Sequence, residues 1–342
     1  MTLPKPVEGL TLRDDGPLID RFGRVHTYMR VSVTDRCNYR CTYCLPEEGA
    51  EWLDRDELLT FEEITRIVSA MAAMGVRRVR LTGGEPTIRR DLDKLVAALA
   101  AVEGIDDLSM TTNGHHFAAK AEHLAACGLQ RLNVSLDTLD ADKFREVTRG
   151  GDVVRVLAAI DAAVRAGLTP VKVNAVVVGG FNDHDLHRMV AHFEPYGDAV
   201  HIRFIERMPF GGDRRQHVPA DLIRRRLEEH YTLVAEHVDG GGPATGYRVV
   251  ETGQLLGFIS PMTAHFCEAC NRLRLMCDGH LRTCLSRDDT PSLRDMIRDG
   301  VSQATLQRAI RMMVWGKVAG HEAHLGEDGW RAFEGVMTRI GG

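Results

Sequence analysis

Six of the eight cysteines fall into two triplets, Cys37-x3-Cys41-x2-Cys44 and Cys267-x2-Cys270-x13-Cys284. A structural zinc site closes a tetrahedron with four ligands. A cubic four-iron cluster also has four metal corners, ordinarily met by four thiolates. Three close cysteines leave one corner open, and open iron on a redox cluster can bind a small molecule and pass it an electron. Tyr43 stands directly before the last cysteine of the first triplet. For the second triplet the spacing alone also admits zinc, with Cys277 or His280 as fourth ligand. Cys127, in Ala-Ala-Cys-Gly, reads as a buried helix residue.

Other residues have chemical potential of their own. Gly83-Gly84-Glu85-Pro86 follows a strand-like run and permits close backbone approach or a positive φ. Arg272 and Arg274 alternate on an extended stretch, so both can face one anion; a solvated pair is the plain alternative. Lys172 lies within an apolar strand, where a charge is costly unless partnered; a structural ion pair is the plain alternative. His115, His116, His184 and His187 lack partners at metal-binding spacing and read as surface or structural residues.

Elements that could position these groups alternate along the chain. Strands are expected at 28–34, 78–82, 107–112, 131–136, 171–178 and 199–206. Helices are expected at 60–74, from 91, and at 118–126, 153–166 and 184–193, the first with Thr60 and Glu63 as a capping box. This rhythm means βαβ units on a parallel sheet, and six strands suggest a partial (βα)6 barrel of the TIM type. Active sites of such sheets lie at the C-terminal strand ends, where both Cys37 and Gly83-Gly84 fall. After Met208 the rhythm breaks. A charged helix at 221–229, a β-rich stretch at 231–259, the second triplet and helices at 293–298 and 304–315 follow. The expected division is therefore 1–210 and 211–342.

Composition is that of an ordinary globular chain, 44% hydrophobic and 27% charged over 342 residues. The net charge of −5 excludes a wholly electrostatic nucleic-acid binder. Of 43 basic residues 37 are arginine, for which biased codon usage is the plain explanation. No run is long and apolar enough to span a membrane, and the N-terminus lacks an apolar signal core, so a cytoplasmic protein is expected. A reducing compartment also favours metal binding over disulfides.

The cysteine motif followed by Gly-Gly-Glu-Pro resembles the radical S-adenosylmethionine (SAM) superfamily. Within it, nearly the whole chain is similar to the GTP 3′,8-cyclase family of molybdenum cofactor biosynthesis. The resemblance is carried by Arg30-Val-Ser-Val-Thr-Asp-Arg-Cys37, Arg80-Leu-Thr-Gly-Gly-Glu-Pro86, Thr111-Thr-Asn-Gly114, Asn133-Val-Ser-Leu-Asp137, Lys172-Val-Asn174, Arg203-Phe-Ile-Glu-Arg-Met208, the second triplet and the terminal Gly341-Gly342. It implies two [4Fe–4S] clusters, one on Cys37, Cys41 and Cys44, the other on Cys267, Cys270 and Cys284. It implies SAM contacts from Tyr43, Gly84, Ser135 and Met208, and GTP contacts from Arg30, Arg80, Thr111, Lys172, Arg272 and Arg274. It gives Gly341 and Gly342 a catalytic role inside the site. The implied reaction is hydrogen abstraction from ribose C3′ of GTP by a 5′-deoxyadenosyl radical, then closure onto guanine C8. An external reductant, a downstream cyclic pyranopterin monophosphate synthase and a homodimer complete the expectation. No residue pattern by itself reads guanine, and no Gly-x4-Gly-Lys phosphate loop is present. The rival readings are a peptide-modifying radical SAM maturase with an auxiliary cluster, and a non-catalytic iron–sulfur carrier or zinc-stabilised binding protein.

Overall fold

A computed structural model describes residues 3–45, 50–208, 216–238, 242–285 and 290–320. Its strands are β1 (Tyr28–Ser32), β2 (Arg78–Thr82), β3 (Asp107–Thr112), β4 (Arg131–Ser135), β5 (Val171–Val177), β6 (Val200–Glu206), β7 (Leu233–Glu236), β8 (Ala244–Val249), β9 (Leu255–Ile259), β10 (Arg272–Leu275) and β11 (Leu281–Arg282). The helices are α1 (Phe61–Ala72), α2 (Leu92–Ala100), α3 (Ala121–Ala126), α4 (Ala141–Thr148), α5 (Val153–Arg165), α6 (Leu186–Phe193), α7 (Ala220–Glu228), α8 (Leu293–Arg298) and α9 (Gln303–Trp315).

All strands form one open sheet in the order β11-β10-β1-β2-β3-β4-β5-β6-β9-β8-β7. The expected six-stranded parallel array is present as β1 to β6. Two strands from the later part of the chain extend it: β10 joins β1 and β9 joins β6, both parallel. The β-rich stretch expected after the barrel is thus partly barrel wall.

Side-chain alternation explains how the sheet serves two surfaces. In β5, Val171, Val173, Ala175 and Val177 are buried in the core, whereas Lys172, Asn174 and Val176 line a cavity on the other face. A strand with period two puts every second residue on each side. The same alternation sends Arg30 of β1, Arg78 and Arg80 of β2, and Arg272 and Arg274 of β10 to the cavity.

Several ends follow local chemistry. Thr60 and Glu63 form the expected capping box on α1, and Glu63 also accepts from Arg298 Nε of α8 at 2.8 Å. The helix α4 escapes the sequence reading, although Asp140 caps it by accepting from Asp142 N and Lys143 N. Cys127 corrects its expectation. It is the C-cap of α3 and only half-buried, because the chain turns there at Gly128.

Candidate active site

The cavity, of about 360 Å³, runs along one face of the parallel strands, from Tyr28, Arg78, Asp107 and Arg131 at their starts to the loops beyond their C-terminal ends. Cys37, Cys41 and Cys44 line it, with Tyr43, Gly84, Ser135, Met208, Arg30, Arg80, Thr111, Lys172, Arg272 and Arg274. Thirteen sequence-selected residues from six strands and three loops therefore meet in one space. Gly341 and Gly342 lie outside the described residues.

The loop after β1 is laced to the loop after β2. Gly84 N donates to Thr34 O at 2.7 Å, and Glu85 N to Arg36 O at 2.8 Å. A Cβ on Gly84 would fall within the van der Waals radii of the Arg36 carbonyl carbon and oxygen. The glycine is needed because backbone crosses backbone just ahead of Cys37. Glu85 is a structural tie. It is 1% exposed, and its carboxylate accepts from Thr87 N, Thr87 Oγ1, Thr112 Oγ1 and Asn113 N. A substitution Gly84→Ala is expected to cost about 1–3 kcal/mol through forced displacement and to lower iron held at the first triplet. Unchanged melting temperature and iron content would refute this.

Cys44 N and Leu45 N both donate to Cys41 O, a turn that brings the last two thiols of the triplet together. Tyr43 Oη donates to Asp137 Oδ2 at 2.6 Å. Burial pushes the Cys37 thiol up to about 11. It also pushes Cys41 well up, with Asp137, Cys44 and Cys37 adding repulsion. Burial raises Asp137 to about 6 against the bond from Tyr43.

Positive charge is arranged in register across three strands. Arg30 of β1 is paired with Arg274 of β10 on one side and Arg80 of β2 on the other. Beyond this row, Asn133 Oδ1 accepts from Arg80 Nη1 at 2.7 Å and Arg203 Nη2 at 2.9 Å, and Asn174 Oδ1 accepts from Arg203 Nε at 2.8 Å. Lys172 lies opposite both Asn133 and His201 in the sheet. Burial, then Arg203, brings its ammonium down to about 7. Burial and Lys172 bring His201 to about 4, so that imidazole is neutral at neutral pH. Among the described residues no carboxylate pairs with Arg80, Lys172 or Arg203, so the plain ion-pair alternative for Lys172 is not what this site contains. Tyr28 sits under the row, where burial would raise its phenol but Arg80 and then Arg30 bring it to about 8.

The second triplet flanks the same wall. Cys270 precedes β10, and Cys284 follows β11, which pairs antiparallel with β10. Arg272 bridges the two regions: it lines the cavity, its guanidinium lies 4.6 Å from the Phe266 ring centre, and its Nη2 is 4.0 Å from Cys270 Sγ. Arg24 donates to the carbonyls of Cys267, Ala319 and Val318 at 2.9, 2.7 and 2.7 Å. Its Nε is held by the buried Asp20 carboxylate at 2.7 Å. Cys277 is 1% exposed and does not line the cavity; burial raises its thiol to about 12. Among the described residues no three or more His, Cys, Asp or Glu side chains are grouped as a single metal ion requires.

Comparison with known proteins agrees with this geometry. Residues 31–193 match the profile of the radical SAM superfamily, and residues 200–323 that of Molybdenum Cofactor Synthesis C. A GTP 3′,8-cyclase of Rhodopseudomonas palustris (strain ATCC BAA-98 / CGA009) is 47% identical over 90% of this chain and 90% of its own. One from Rhizobium etli (strain CIAT 652) is 46% identical over 90% of this chain and 89% of its own. The chain belongs to the GTP 3′,8-cyclase family. Among solved structures, SuiB of Streptococcus suis aligns with a TM-score of 0.60 over 88% of this chain and 69% of that one. At 16% identity this likeness shows the fold.

Membership of the GTP 3′,8-cyclase family brings two [4Fe–4S] clusters and SAM, and the thiols present suit them. At the first triplet, buried thiols that repel one another as anions need a cationic group between them to ionise. At the second, burial would raise Cys270, but Lys317 and then Arg272 bring it down to about 6, which favours the ligating thiolate.

Sequence reasoning missed Arg203, Asn133, Tyr28 and Lys317 as members of the site. For Arg203 a signal existed, since it sits two residues from His201 on the cavity face of β6. For Lys317 none did, because it follows α9 and reaches Cys270 only through the tertiary fold.

Proposed function

We propose that this protein converts GTP to 3′,8-cyclo-7,8-dihydro-GTP, the first step of molybdenum cofactor biosynthesis, in the cavity described above. The carrying observation is the group Arg80, Arg203 and Lys172, which no carboxylate pairs among the described residues, in the same cavity as Cys37, Cys41 and Cys44. Like charges in adjacent buried positions are unfavourable unless an anion joins them. A triphosphate supplies that anion, and arginine forks suit its oxygens. A peptide maturase has no such demand for buried cations.

When bound at Cys37, Cys41 and Cys44, cluster and SAM supply a 5′-deoxyadenosyl radical and methionine. The chain's own residues do the rest. Tyr43, Gly84, Ser135 and Met208 would hold SAM; Arg30, Arg80, Thr111, Lys172, Arg272 and Arg274 would hold GTP. Asn133 fixes Arg80 and Arg203 so that their free N–H groups keep one orientation. Confinement of ribose and base in one pocket makes the ring closure intramolecular. Cys267, Cys270 and Cys284 would hold the second cluster, and Gly341-Gly342 would enter the site. A two-region division near residue 210 fits this reading, with the later region supplying β9, β10 and the second triplet. A one-electron donor, a second copy of the chain as partner and a cytoplasmic setting are assigned on the family resemblance. Among the described residues no helix is long and apolar enough to cross a membrane.

The decisive assay is 5′-deoxyadenosine formation under dithionite with GTP or ATP. Turnover with GTP alone is expected; equal turnover of both, or none with GTP, would count against the proposal. Lys172 gives a second test. Its folded pKa of about 7 lies below its ordinary value of 10.5, so the folded empty protein binds fewer protons than the unfolded chain between those limits. Stability from this group therefore rises with pH across that window and is lost below it. A triphosphate reverses the shift, so GTP binding at pH 8 should take up protons. Calorimetry in buffers of different ionisation enthalpy would detect this, and Lys172→Met should reduce it; equal uptake in the variant would sink the assignment.

A further inference from the structure

Lys317 is 1% exposed, at the end of α9, and nothing in the nucleotide site uses it. Its Nζ donates to Arg272 O at 2.7 Å and to Cys270 Sγ at 3.5 Å. Among the described residues no carboxylate forms an ion pair with it. The nearby Asp20 carboxylate is committed to Arg24 Nε at 2.7 Å and His26 Nε2 at 2.9 Å. A buried ammonium without an anion is among the least favourable arrangements in a folded protein. The groups beside it that can become anionic are the thiols of the second triplet. A [4Fe–4S] cube on three thiolates carries net negative charge, and that charge grows by one on reduction.

We propose that the Lys317 ammonium is the built-in counter-charge of the second cluster, bonding to the Cys270 sulfur and holding that cluster's reduction potential up. Hydrogen bonds to cluster sulfurs and the local net charge are among the protein's means of setting such potentials. The first triplet has the opposite surroundings. Its neighbours on the cavity wall include the Glu85 and Asp137 carboxylates, and Tyr39 N and Asn113 Nδ2 are the donors to Cys37 Sγ, at 3.4 and 3.9 Å. A buried ammonium thus stands on a sulfur of the second triplet, whereas amide donors stand on the Cys37 sulfur. Lys317 is a positioning and tuning residue, since it touches a ligand sulfur and not the reacting atoms. The proposal rests on the reading that Cys267, Cys270 and Cys284 hold a cluster.

The test is an anaerobic redox titration, followed by electron paramagnetic resonance, of the full-length protein loaded with both clusters. The first cluster, recognised by the change in its signal on adding SAM, is the internal control. In Lys317→Met the ratio of oxidised to reduced second cluster, read at the wild-type midpoint, should rise at least tenfold, a fall of about 59 mV for a one-electron couple. The first cluster should not move, and Lys317→Arg should stay near wild type. Loss of the second cluster's iron in Lys317→Met, with full loading in Lys317→Arg, supports the same role. An unmoved second midpoint, equal shifts of both clusters, or equal loss of iron in both variants overturns it, the last by showing that Lys317 serves packing alone. Wild-type protein that holds zinc or no iron at the second triplet overturns the cluster reading itself and this proposal with it.

Discussion

Replacing Cys41 with alanine should reduce 5′-deoxyadenosine formation by at least about 10³-fold, the scale seen when one member of a catalytic unit is removed. Iron content should fall from about eight to about four per chain as the first site empties and the second persists. The reason is in the geometry of the loop. Cys41 O accepts from both Cys44 N and Leu45 N, so this residue is the pivot of the turn as well as a ligand. Burial also raises its thiol well above an ordinary thiol. Two remaining thiols cannot hold a cube that needs three ligands and one open corner. Cys127→Ala is the matched control, being half-buried and outside the cavity lining, and should change neither number. Iron assay and product chromatography decide the outcome. Retained radical formation in Cys41→Ala would remove the first triplet from the chemistry.

The second large effect concerns Arg274. Its replacement by methionine should weaken GTP binding by roughly 30- to 4,000-fold, the loss of one buried charged partner at about 2–5 kcal/mol. The same substitution should lower the melting temperature of the nucleotide-free protein less than that of the GTP-bound protein. Arg274 stands in register beside Arg30, and Arg30 beside Arg80. Burial and then repulsion from Arg30 and Arg272 lower the Arg274 pKa well below its ordinary value. Removing one cation relieves that repulsion, and methionine keeps the apolar stem packed. Saturating GTP should widen the difference, because wild type gains about 2.7 kcal/mol at a hundredfold excess over Kd. Thermal shift with and without nucleotide measures both arms. A variant less stable when empty and unimpaired in binding would show that Arg274 is structural.

Much of this site was legible in the chain. The odd number of cysteines in each triplet, the tyrosine before Cys44 and Gly83-Gly84 at a strand end are local features with local physical meaning. Lys172 stood out as a charge within an apolar strand, and the alternation of β5 puts it on the face opposite its valines. The capping box at Thr60 and Glu63 fixed the start of α1, because both bonds are made within four residues. The helix α4 was missed although Asp140 marks it, since it breaks the simple strand–helix rhythm.

What the sequence by itself determined is the chemistry available: three thiols with an open corner, twice, and a set of cations on alternating strand positions. The tertiary structure decided which of these stand together. The strand β10 is only four residues long, and no local signal says that it pairs with β1, more than 240 residues earlier. Pairing of that kind is set by burial against the whole sheet. Its register brings Arg274 to Arg30, and the path of the chain after α9 brings Lys317 to Cys270. Residue types are local facts of the sequence, whereas the field they make together depends on separations that exist only once the sheet has formed.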